Sequence, residues 1–361
     1  MTAPRAGAAD RSVPPDQRLD GVVDLDALAA WMDTQGLGEG PVEGAHVLAG
    51  GTQNVLVRFR RGDLDLVLRR GPRHLRPATN KNLRREMRVL AALRDTDVPH
   101  PRLVAACPDE TVLGGAVFYL MEPLDGVNPA QQLPPAVAAD PALRHALGLG
   151  VAEALAAVGR VDHEAVGLGD VGHPAGFLER QVPRWRAELA AYADLDGYPG
   201  ADIGDVDGLA RWLDEHRPAE GRPGVMHGDF HLSNVMVGER GEMVGIVDWE
   251  MATVGDPLLD LGWLLVCWPG PDRGDLLQTA IGAAGGLPTV DEVVAAYVAG
   301  SDRDLSDLPW YVALAGYKLG IVLEGTYARA HAGLAPRDVG ERLHATAVNL
   351  IERAHAAAAS A

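Results

Sequence analysis

The stretch from His227 to Asn234 concentrates side chains that could do chemistry. It reads His-Gly-Asp-Phe-His-Leu-Ser-Asn and follows two apolar residues, Val225 and Met226. Its imidazoles, carboxylate, hydroxyl and amide could bind a metal, supply a nucleophile or position the hydroxyl of another molecule. A polar turn, with Asp229 and Asn234 acting as caps, is the alternative without chemistry.

Two chemical interpretations of this stretch assume different secondary structures. On a strand, His227, Asp229 and His231 would share one face because side chains alternate, which is typical of a transition-metal hydrolase site. In a loop, Asp229 and Asn234 have the Asp-x-x-x-x-Asn spacing of a kinase catalytic loop. There the aspartate accepts the proton of the acceptor hydroxyl and the asparagine binds Mg²⁺.

The residues after Asn234 predict a β-hairpin that brings in a second oxygen ligand. Apolar runs at 235–237 and 243–247 flank a Gly-Glu-Arg-Gly-Glu turn, and the second run ends at Asp248. A hairpin would place Asn234 and Asp248 at the same open end, about one strand spacing (~5 Å) apart. Hard oxygen donors suit Mg²⁺ shared with substrate phosphates, whereas Zn²⁺ favours imidazole clusters. The pattern therefore favours phosphotransfer over metal-dependent hydrolysis.

The amino-terminal region predicts a small antiparallel sheet and one helix. Residues 46–70 read as a strand, a bend at Gly50 and Gly51, a second strand, a turn and a third strand. Residues 79–98 read as a helix opened by a Thr79 or Asn80 cap, and residues 115–126 as a buried strand ending in a proline turn. Backbone N–H groups at the glycine bend could approach phosphates closely.

One carboxylate of this helix lies where an apolar side chain is expected. Four residues at helical spacing form an apolar stripe: Leu83, Met87, Leu90 and Leu93. Glu86 falls inside the stripe, and a buried carboxylate is costly unless a cation pairs with it. On the third strand, Arg69 shares a face with Val67 opposite the leucines. We therefore predict an Arg69–Glu86 pair that presents the guanidinium to phosphates.

Length and composition limit the class of protein. A chain of 361 residues exceeds one ordinary core, which predicts two domains, the second mostly helical from about residue 140 onward. The chain is 47% hydrophobic and 23% charged, and no uninterrupted apolar run approaches the ~20 residues that span a bilayer.

Residues 1–20 lack the apolar core of a secretion signal and are expected to be a disordered lead-in. We expect a cytoplasmic protein with no membrane partner, and Cys107 and Cys267 as buried thiols.

The charge of the chain is negative and unevenly distributed. The net charge of −18 argues against a nucleic acid partner. Residues 58–102 contain 13 basic and five acidic residues, which makes this part +8 and leaves −26 for the remainder. Lys81 and Lys318 are the only lysines, so arginine supplies most of the positive charge.

These residues together resemble the aminoglycoside phosphotransferase and choline kinase branch of the protein-kinase-like superfamily. The sequence is similar in particular to phosphotransferase modules associated with acyl-CoA dehydrogenases. The resemblance covers roughly residues 40–350, and its most specific motifs lie at 227–234 and 245–265. It implies an α+β, bilobal kinase-like fold with a nucleotide-binding N-lobe over residues 21–124. A helical C-lobe over 125–361 would then hold the catalytic loop, the metal site and the acceptor site.

The resemblance also implies roles for single residues. Asp229 would be the catalytic base, and Asn234 and Asp248 would bind Mg²⁺. Arg69 and Glu86 would anchor ATP. The other nucleotide contacts would come from a phosphate-covering segment with Gly50, Gly51, Thr52 and Asn54, and from hinge backbone groups of Glu122 and Leu124. Asp256, Asp260 and His231 are expected to brace loops and cap a helix rather than touch substrate.

Two features leave alternatives open. Arg69 replaces the nucleotide-binding lysine of kinases; it keeps the charge and is expected to be a tolerated replacement in a lysine-poor chain. The acceptor is expected to be a small hydroxyl compound. The negative charge favours an aminoglycoside-like polycation, whereas the likeness to dehydrogenase-linked modules favours a hydroxyacyl-CoA. A nucleotide-binding regulatory module without turnover is the alternative from another class, and no sequence feature indicates an oligomeric state.

Overall fold

The computed structural model describes residues 23–48 and 54–361, and these form two compact units of an α+β fold. The first unit comprises the described residues up to Ala91 together with Pro101–Pro123. The second comprises Ala92–His100 and Leu124–Ala361. The predicted fold class is confirmed, because one unit contains an antiparallel sheet and the other is mainly helical.

The described residues of the first unit form a five-stranded antiparallel sheet. Its strands are β1 (Glu43–Val47), β2 (Val55–Arg61), β3 (Leu64–Arg70), β4 (Leu103–Cys107) and β5 (Phe118–Met121), in the spatial order β1-β2-β3-β5-β4. The predicted meander is confirmed by the register of β2 and β3, in which Phe59 lies opposite Leu66. Strand β4, which the sequence analysis did not predict, pairs with β5 at the edge of the sheet.

Two helices pack against the sheet, and the alternating side chains of β3 explain which residues each helix contacts. Helix α1 (Leu25–Thr34) begins at Asp24, whose carboxylate accepts a hydrogen bond from the Ala27 amide at 2.9 Å. It shares one apolar cluster with one face of the sheet: Leu28, Met32, Phe59, Leu66, Leu68 and Phe118. Successive side chains of a strand alternate, so Arg69 of β3 points away from the face that carries Leu66 and Leu68. Helix α2 (Thr79–Leu93) lies on the side of Arg69 and supplies its partner, Glu86.

The second unit is built from helices around two short strand pairs. Its helices are α3 (Pro135–Ala139), α4 (Pro141–Arg160), α5 (Gln181–Ala191), α6 (Val206–Glu215), α7 (Leu258–Cys267), α8 (Ala280–Ala284), α9 (Val290–Ala299), α10 (Leu308–His331) and α11 (Arg337–Ala358). Strand β6 (Gly224–Met226) pairs with β9 (Thr253–Gly255), and β7 (Val235–Val237) pairs with β8 (Met243–Ile246). Helix α7 is buried along its whole length, and α10 packs against α7 and α11.

Residues 92–100 group with the second unit, whereas the sequence-based division placed them in the N-lobe. This segment contacts α4 and β8 of the second unit, which explains why it groups with that unit. Asp97 pairs with Arg160 of α4 at 2.5 Å, and the Pro99 carbonyl accepts a hydrogen bond from the Ile246 amide of β8 at 2.8 Å. These contacts join distant parts of the chain, so local sequence patterns do not reveal them.

Helix α4 is long and apolar enough, by length and composition, to cross a membrane. Most of its apolar stretch is buried within the second unit, as expected for the core helix of a globular protein. Both cysteines are buried free thiols, as predicted.

Candidate active site

The loop after β6 is held in place by a buried carboxylate from α7. Asp260 accepts hydrogen bonds from the backbone amides of His227 at 2.6 Å and Gly228 at 2.9 Å. Gly228 has a φ of 84°, and a side chain there would meet the Met251 carbonyl at 2.5 Å, so only glycine fits. The predicted bracing role of Asp260 agrees with these hydrogen bonds.

His227 is fully buried and uses both ring nitrogens to connect the loop to the end of β8. Its Nδ1 accepts a hydrogen bond from the Asp229 amide at 3.3 Å, so Nε2 carries the proton and donates to the Val247 carbonyl at 2.9 Å. With both nitrogens engaged, His227 is not available as a metal ligand. Within the described residues, no three His, Cys, Asp or Glu groups are placed to hold a metal. Residues 227–231 also form a loop and not a strand, so they do not have the alternating face that the histidine-rich metal site required.

Asp229 keeps about a third of its side chain exposed and is oriented by two neighbours. His231 accepts from the Ser233 amide through Nδ1, which leaves its Nε2–H directed at Asp229 Oδ1, 3.3 Å away. The Asn234 amide nitrogen donates to the Asp229 carbonyl at 2.8 Å and to Oδ2 at 3.2 Å. The carboxylate is fixed while part of it faces solvent, as a group that positions an acceptor must be.

The electrostatic environment of Asp229 favours its ionised form. Burial raises the pKa of Asp229, but the hydrogen bond from His231 and the positive charge of Lys318 lower it to about 2. Asp229 is therefore a carboxylate at every physiological pH. Such a group orients a hydroxyl well and is a weak base.

The predicted hairpin is confirmed. Val235 of β7 lies opposite Ile246 of β8, and the Val247 amide donates to the Asn234 carbonyl at 2.9 Å. Asn234 and Asp248 therefore flank the same end of the hairpin. Asp248 adopts a left-handed conformation with φ 67° and ψ 57°, which the sequence analysis did not foresee. A non-glycine residue in this region is uncommon, although aspartate adopts it more readily than most residues.

The donor set at this end of the hairpin fits Mg²⁺. Asn234 uses its amide nitrogen on Asp229, so its Oδ1 lies on the other side of Cγ, where it can act as a ligand. Asp248 adds a carboxylate. One amide oxygen and one carboxylate are hard donors of the kind that bind Mg²⁺ together with substrate phosphates and water.

In the first unit the predicted ion pair between β3 and α2 is present. Arg69 Nε lies 3.0 Å from Glu86 Oε2, and their side chains are only 8% and 2% exposed. Burial makes the pair mutually dependent, because either charge alone would be costly in this environment.

The remaining predicted nucleotide contacts are only partly described. Gly50, Gly51 and Thr52 lie outside the described residues, while Asn54 directly precedes β2. The Glu122 amide donates to the Arg102 carbonyl at 2.9 Å, so of its backbone groups the carbonyl is the one left for a nucleotide. Leu124 lies against Gly245 of β8, where an added side chain would meet its Cδ1 at 2.5 Å.

One residue near Asp229, Lys318, was not predicted from the sequence. Lys318 of α10 lies close enough for its charge to act on Asp229, and it rests on the ring of Trp263 from α7. Asp256, which was expected to cap a helix, does so at the Leu258 amide and also accepts a hydrogen bond from Tyr311 Oη at 2.7 Å. The one available signal for Lys318 was its rarity, as one of two lysines in an arginine-rich chain.

Comparison with known proteins agrees with this geometry. The model of the phosphotransferase enzyme family, APH, matches residues 45–297. Mouse acyl-CoA dehydrogenase family member 10 is 28% identical over 294 residues, which cover 79% of this chain and 26% of that protein. The chain thus spans about a quarter of the length of this relative.

Solved structures give the same result. A candidate aminoglycoside phosphotransferase from Ralstonia eutropha is 30% identical, with a TM-score of 0.76 over 92% of this chain and 99% of the other. A thermostable mutant of an aminoglycoside phosphotransferase, in ternary complex with AMP-PNP and hygromycin B, shares the fold at 17% identity. Its TM-score is 0.56 over 90% of this chain and 98% of the other. The chain belongs to the phosphotransferase enzyme family.

Proposed function

We propose that this protein is an ATP- and Mg²⁺-dependent O-phosphotransferase that transfers the γ-phosphate to a hydroxyl of a small molecule. One observation carries the proposal. The Asp229 carboxylate is fixed by His231 and Asn234, and Asn234 and Asp248 flank the same end of one hairpin. A fixed carboxylate beside two hard oxygen donors is the arrangement that phosphoryl transfer needs.

In the proposed reaction, Asp229 accepts a hydrogen bond from the acceptor hydroxyl and directs its oxygen at the γ-phosphorus. As the new O–P bond forms and the bond to the bridging oxygen breaks, the hydroxyl becomes acidic and its proton passes to Asp229. A low pKa suits this order, because the proton moves only once the hydroxyl has become acidic. ADP leaves with the electron pair of the broken bond.

The other residues would contribute charge and position. Mg²⁺ bound by Asn234 and Asp248 would neutralise negative charge on the transferring phosphoryl group. Arg69, held by Glu86, would contact the nucleotide phosphates, with Gly50, Gly51, Thr52 and Asn54 covering them. The Glu122 carbonyl and the Leu124 backbone would meet adenine. The proposal places the enzyme in the cytoplasm, where ATP is present.

The charge of the chain and its likeness to known proteins favour different classes of acceptor. Net negative charge outside residues 58–102 supports an aminoglycoside-like polycation, which the sequence analysis placed first. The likeness to acyl-CoA dehydrogenase family member 10 supports a hydroxyacyl-CoA or another hydroxyl metabolite. A regulatory module that binds nucleotide without turnover would bind Mg·ATP and form no product.

Mass spectrometry would separate these possibilities. The protein would be incubated with ATP, Mg²⁺ and a panel of aminoglycosides, amino alcohols, macrolides and hydroxyacyl thioesters. We expect one class to gain a single phosphate, at a rate that depends on Asp229. Tight nucleotide binding combined with no phosphorylated product would favour the regulatory module.

A further inference from the structure

Lys318 occupies an unusual place beside the proposed active site. Its ammonium lies 4.4 Å from the centre of the Trp263 ring and 5.6 Å from the centre of the Trp185 ring. Trp185 belongs to α5 and Trp263 to α7, so three helices contribute to one cluster. The chain uses arginine for nearly all its positive charge, yet a compact ammonium stands here.

A second cation extends this cluster towards the surface. The guanidinium carbon of Arg184 lies 4.9 Å from the centre of the same Trp185 ring. Arg184 is exposed, Lys318 is partly buried, and both tryptophans are buried. We call Arg184, Trp185, Trp263 and Lys318 the cationic cluster. Its exposed cation is Arg184, and its partly buried cation, Lys318, is close enough for its charge to act on Asp229.

Neither cation of this cluster has a carboxylate partner among residues 23–48 and 54–361. No carboxylate oxygen there lies within 4.0 Å of Lys318 Nζ or of the Arg184 guanidinium nitrogens. The nearby acids are engaged elsewhere. Asp260 holds two backbone amides of the catalytic loop, and Asp229 is held by His231 and Asn234.

The surroundings leave the Lys318 charge incompletely solvated. Burial, with a smaller contribution from the charge of Arg184, lowers the pKa of Lys318 to about 8 against the opposing effects of Asp260 and Asp229. Most of the ammonium therefore stays protonated at neutral pH in an apolar setting. The buried Trp263 Nε1–H also finds no hydrogen-bond acceptor among the described residues. The Lys318 ammonium and the Trp263 Nε1–H lie next to each other, and neither has a hydrogen-bond acceptor among the described residues. A ligand with negatively charged oxygens would supply the acceptors.

We propose that the cationic cluster is an anion-recognition subsite, and that the acceptor carries a carboxylate or phosphate group in addition to the hydroxyl that is phosphorylated. The inference rests on the proposed function, because it takes Asp229 as the position of the reacting hydroxyl. Lys318 acts here as a specificity-determining residue that holds the anion. The subsite repels a polycationic acceptor at contact distance, even though the net negative charge of the chain attracts such an acceptor at long range.

The presence of only two lysines allows a direct test that needs no turnover. Reductive methylation with ¹³C-formaldehyde keeps the charge and gives resonances for Lys81, Lys318 and the amino terminus, assigned with Lys81→Arg and Lys318→Arg. Inorganic phosphate, glycolate and neutral glycolamide are titrated at constant ionic strength. We expect the Lys318 resonance to shift saturably with glycolate or phosphate and not with glycolamide, and Arg184→Gln to weaken the effect. Equal responses of Lys318 and exposed Lys81, or a Lys318 resonance that ignores both anions, would overturn the proposal.

Kinetics then separate this inference from the proposed function. Glycolate and glycolamide, or glycerol phosphate and glycerol, form matched anionic and neutral acceptors, which also distinguish a carboxylate from a phosphate. We expect Lys318→Met to lower kcat/KM for the anionic member by about 10- to 100-fold relative to the neutral one, mainly through KM. Lys318→Arg should recover part of the loss, and Lys81→Met should have no effect. An unchanged ratio in Lys318→Met with turnover intact rejects the subsite alone, whereas saturable anion binding without any phosphorylated product rejects the proposed function alone.

Discussion

At the scale of single residues, the proposed catalysis depends on Asp229. Its carboxylate is ionised and oriented by His231 and Asn234, and it is not a strong base. In the proposed reaction, Asp229 would mainly align the acceptor oxygen and then accept the proton late in the transfer.

The substitution Asp229→Asn should lower kcat by on the order of 10² to 10⁴, the usual contribution of a positioned base. The side chain keeps its shape, so we expect nucleotide affinity to stay nearly constant. Steady-state kinetics and calorimetric titration with Mg·ATP would measure the two quantities. Near-normal turnover in this variant would remove Asp229 from the catalytic role.

Removing Glu86 tests the buried pair in the first unit. Glu86→Ala leaves the Arg69 charge buried without its acidic partner, so we expect a loss of about 3–5 kcal/mol in the free energy of unfolding and weaker nucleotide binding. Chemical denaturation and calorimetry would measure both. Glu110→Ala is a matched control, because Glu110 forms an exposed pair with Arg84 and should change neither quantity measurably. Equal effects of the two substitutions would contradict the assignment.

At the scale of elements, the β7–β8 hairpin positions the candidate metal ligands. Its register brings Asn234 and Asp248 to one end. The left-handed backbone conformation of Asp248 sets the direction in which its side chain leaves the backbone. The ligand positions thus depend on the pairing of two short strands.

We expect Asn234→Ala and Asp248→Ala to weaken Mg²⁺-dependent nucleotide binding, the second more strongly because it deletes a charged ligand. Asp248→Asn separates charge from backbone effects, since asparagine tolerates the left-handed conformation well. Titrations with ATP in the presence and absence of Mg²⁺ would measure the change. An identical Mg·ATP affinity in all three variants would show that the hairpin does not carry the metal.

The sequence predicted the elements whose signals are local. The apolar runs around the Gly-Glu-Arg-Gly-Glu turn predicted the hairpin, and the misplaced carboxylate in the α2 stripe predicted the Arg69–Glu86 pair. Features that depend on distant contacts were not predictable. Strand β4 is defined by its pairing with β5, and Lys318 meets Trp185 and Trp263 only because α5, α7 and α10 pack together.

At the scale of the whole molecule, the negative charge and the cationic cluster act over different distances. Charges separated by more than a Debye length of ~10 Å at 0.1 M salt are largely screened, whereas contacts at Lys318 are not. The field of the −26 charge would therefore act while the acceptor approaches, and the proposed subsite would act on the acceptor once it is bound.

A salt series should report the sign of the acceptor charge. For an anionic acceptor, we expect kcat/KM to rise as salt screens long-range repulsion; for an aminoglycoside-like polycation it should fall. The measurement compares the anionic and neutral members of one acceptor pair, with the neutral member as control. A rate that does not depend on salt for the charged acceptor would reject any contribution of the net charge to recruitment.

The most direct test of the central claim follows the γ-phosphate itself. The full chain would be incubated with Mg²⁺, ATP carrying ¹⁸O in its γ-phosphate, and a small-molecule extract of cells, and the products would be analysed by mass spectrometry. We expect the unmodified protein to form a labelled phosphorylated hydroxyl compound, and Asp229→Asn to form it at least about 100-fold more slowly. A labelled product formed equally fast by Asp229→Asn, or bound nucleotide with no labelled product from the extract, would contradict this expectation.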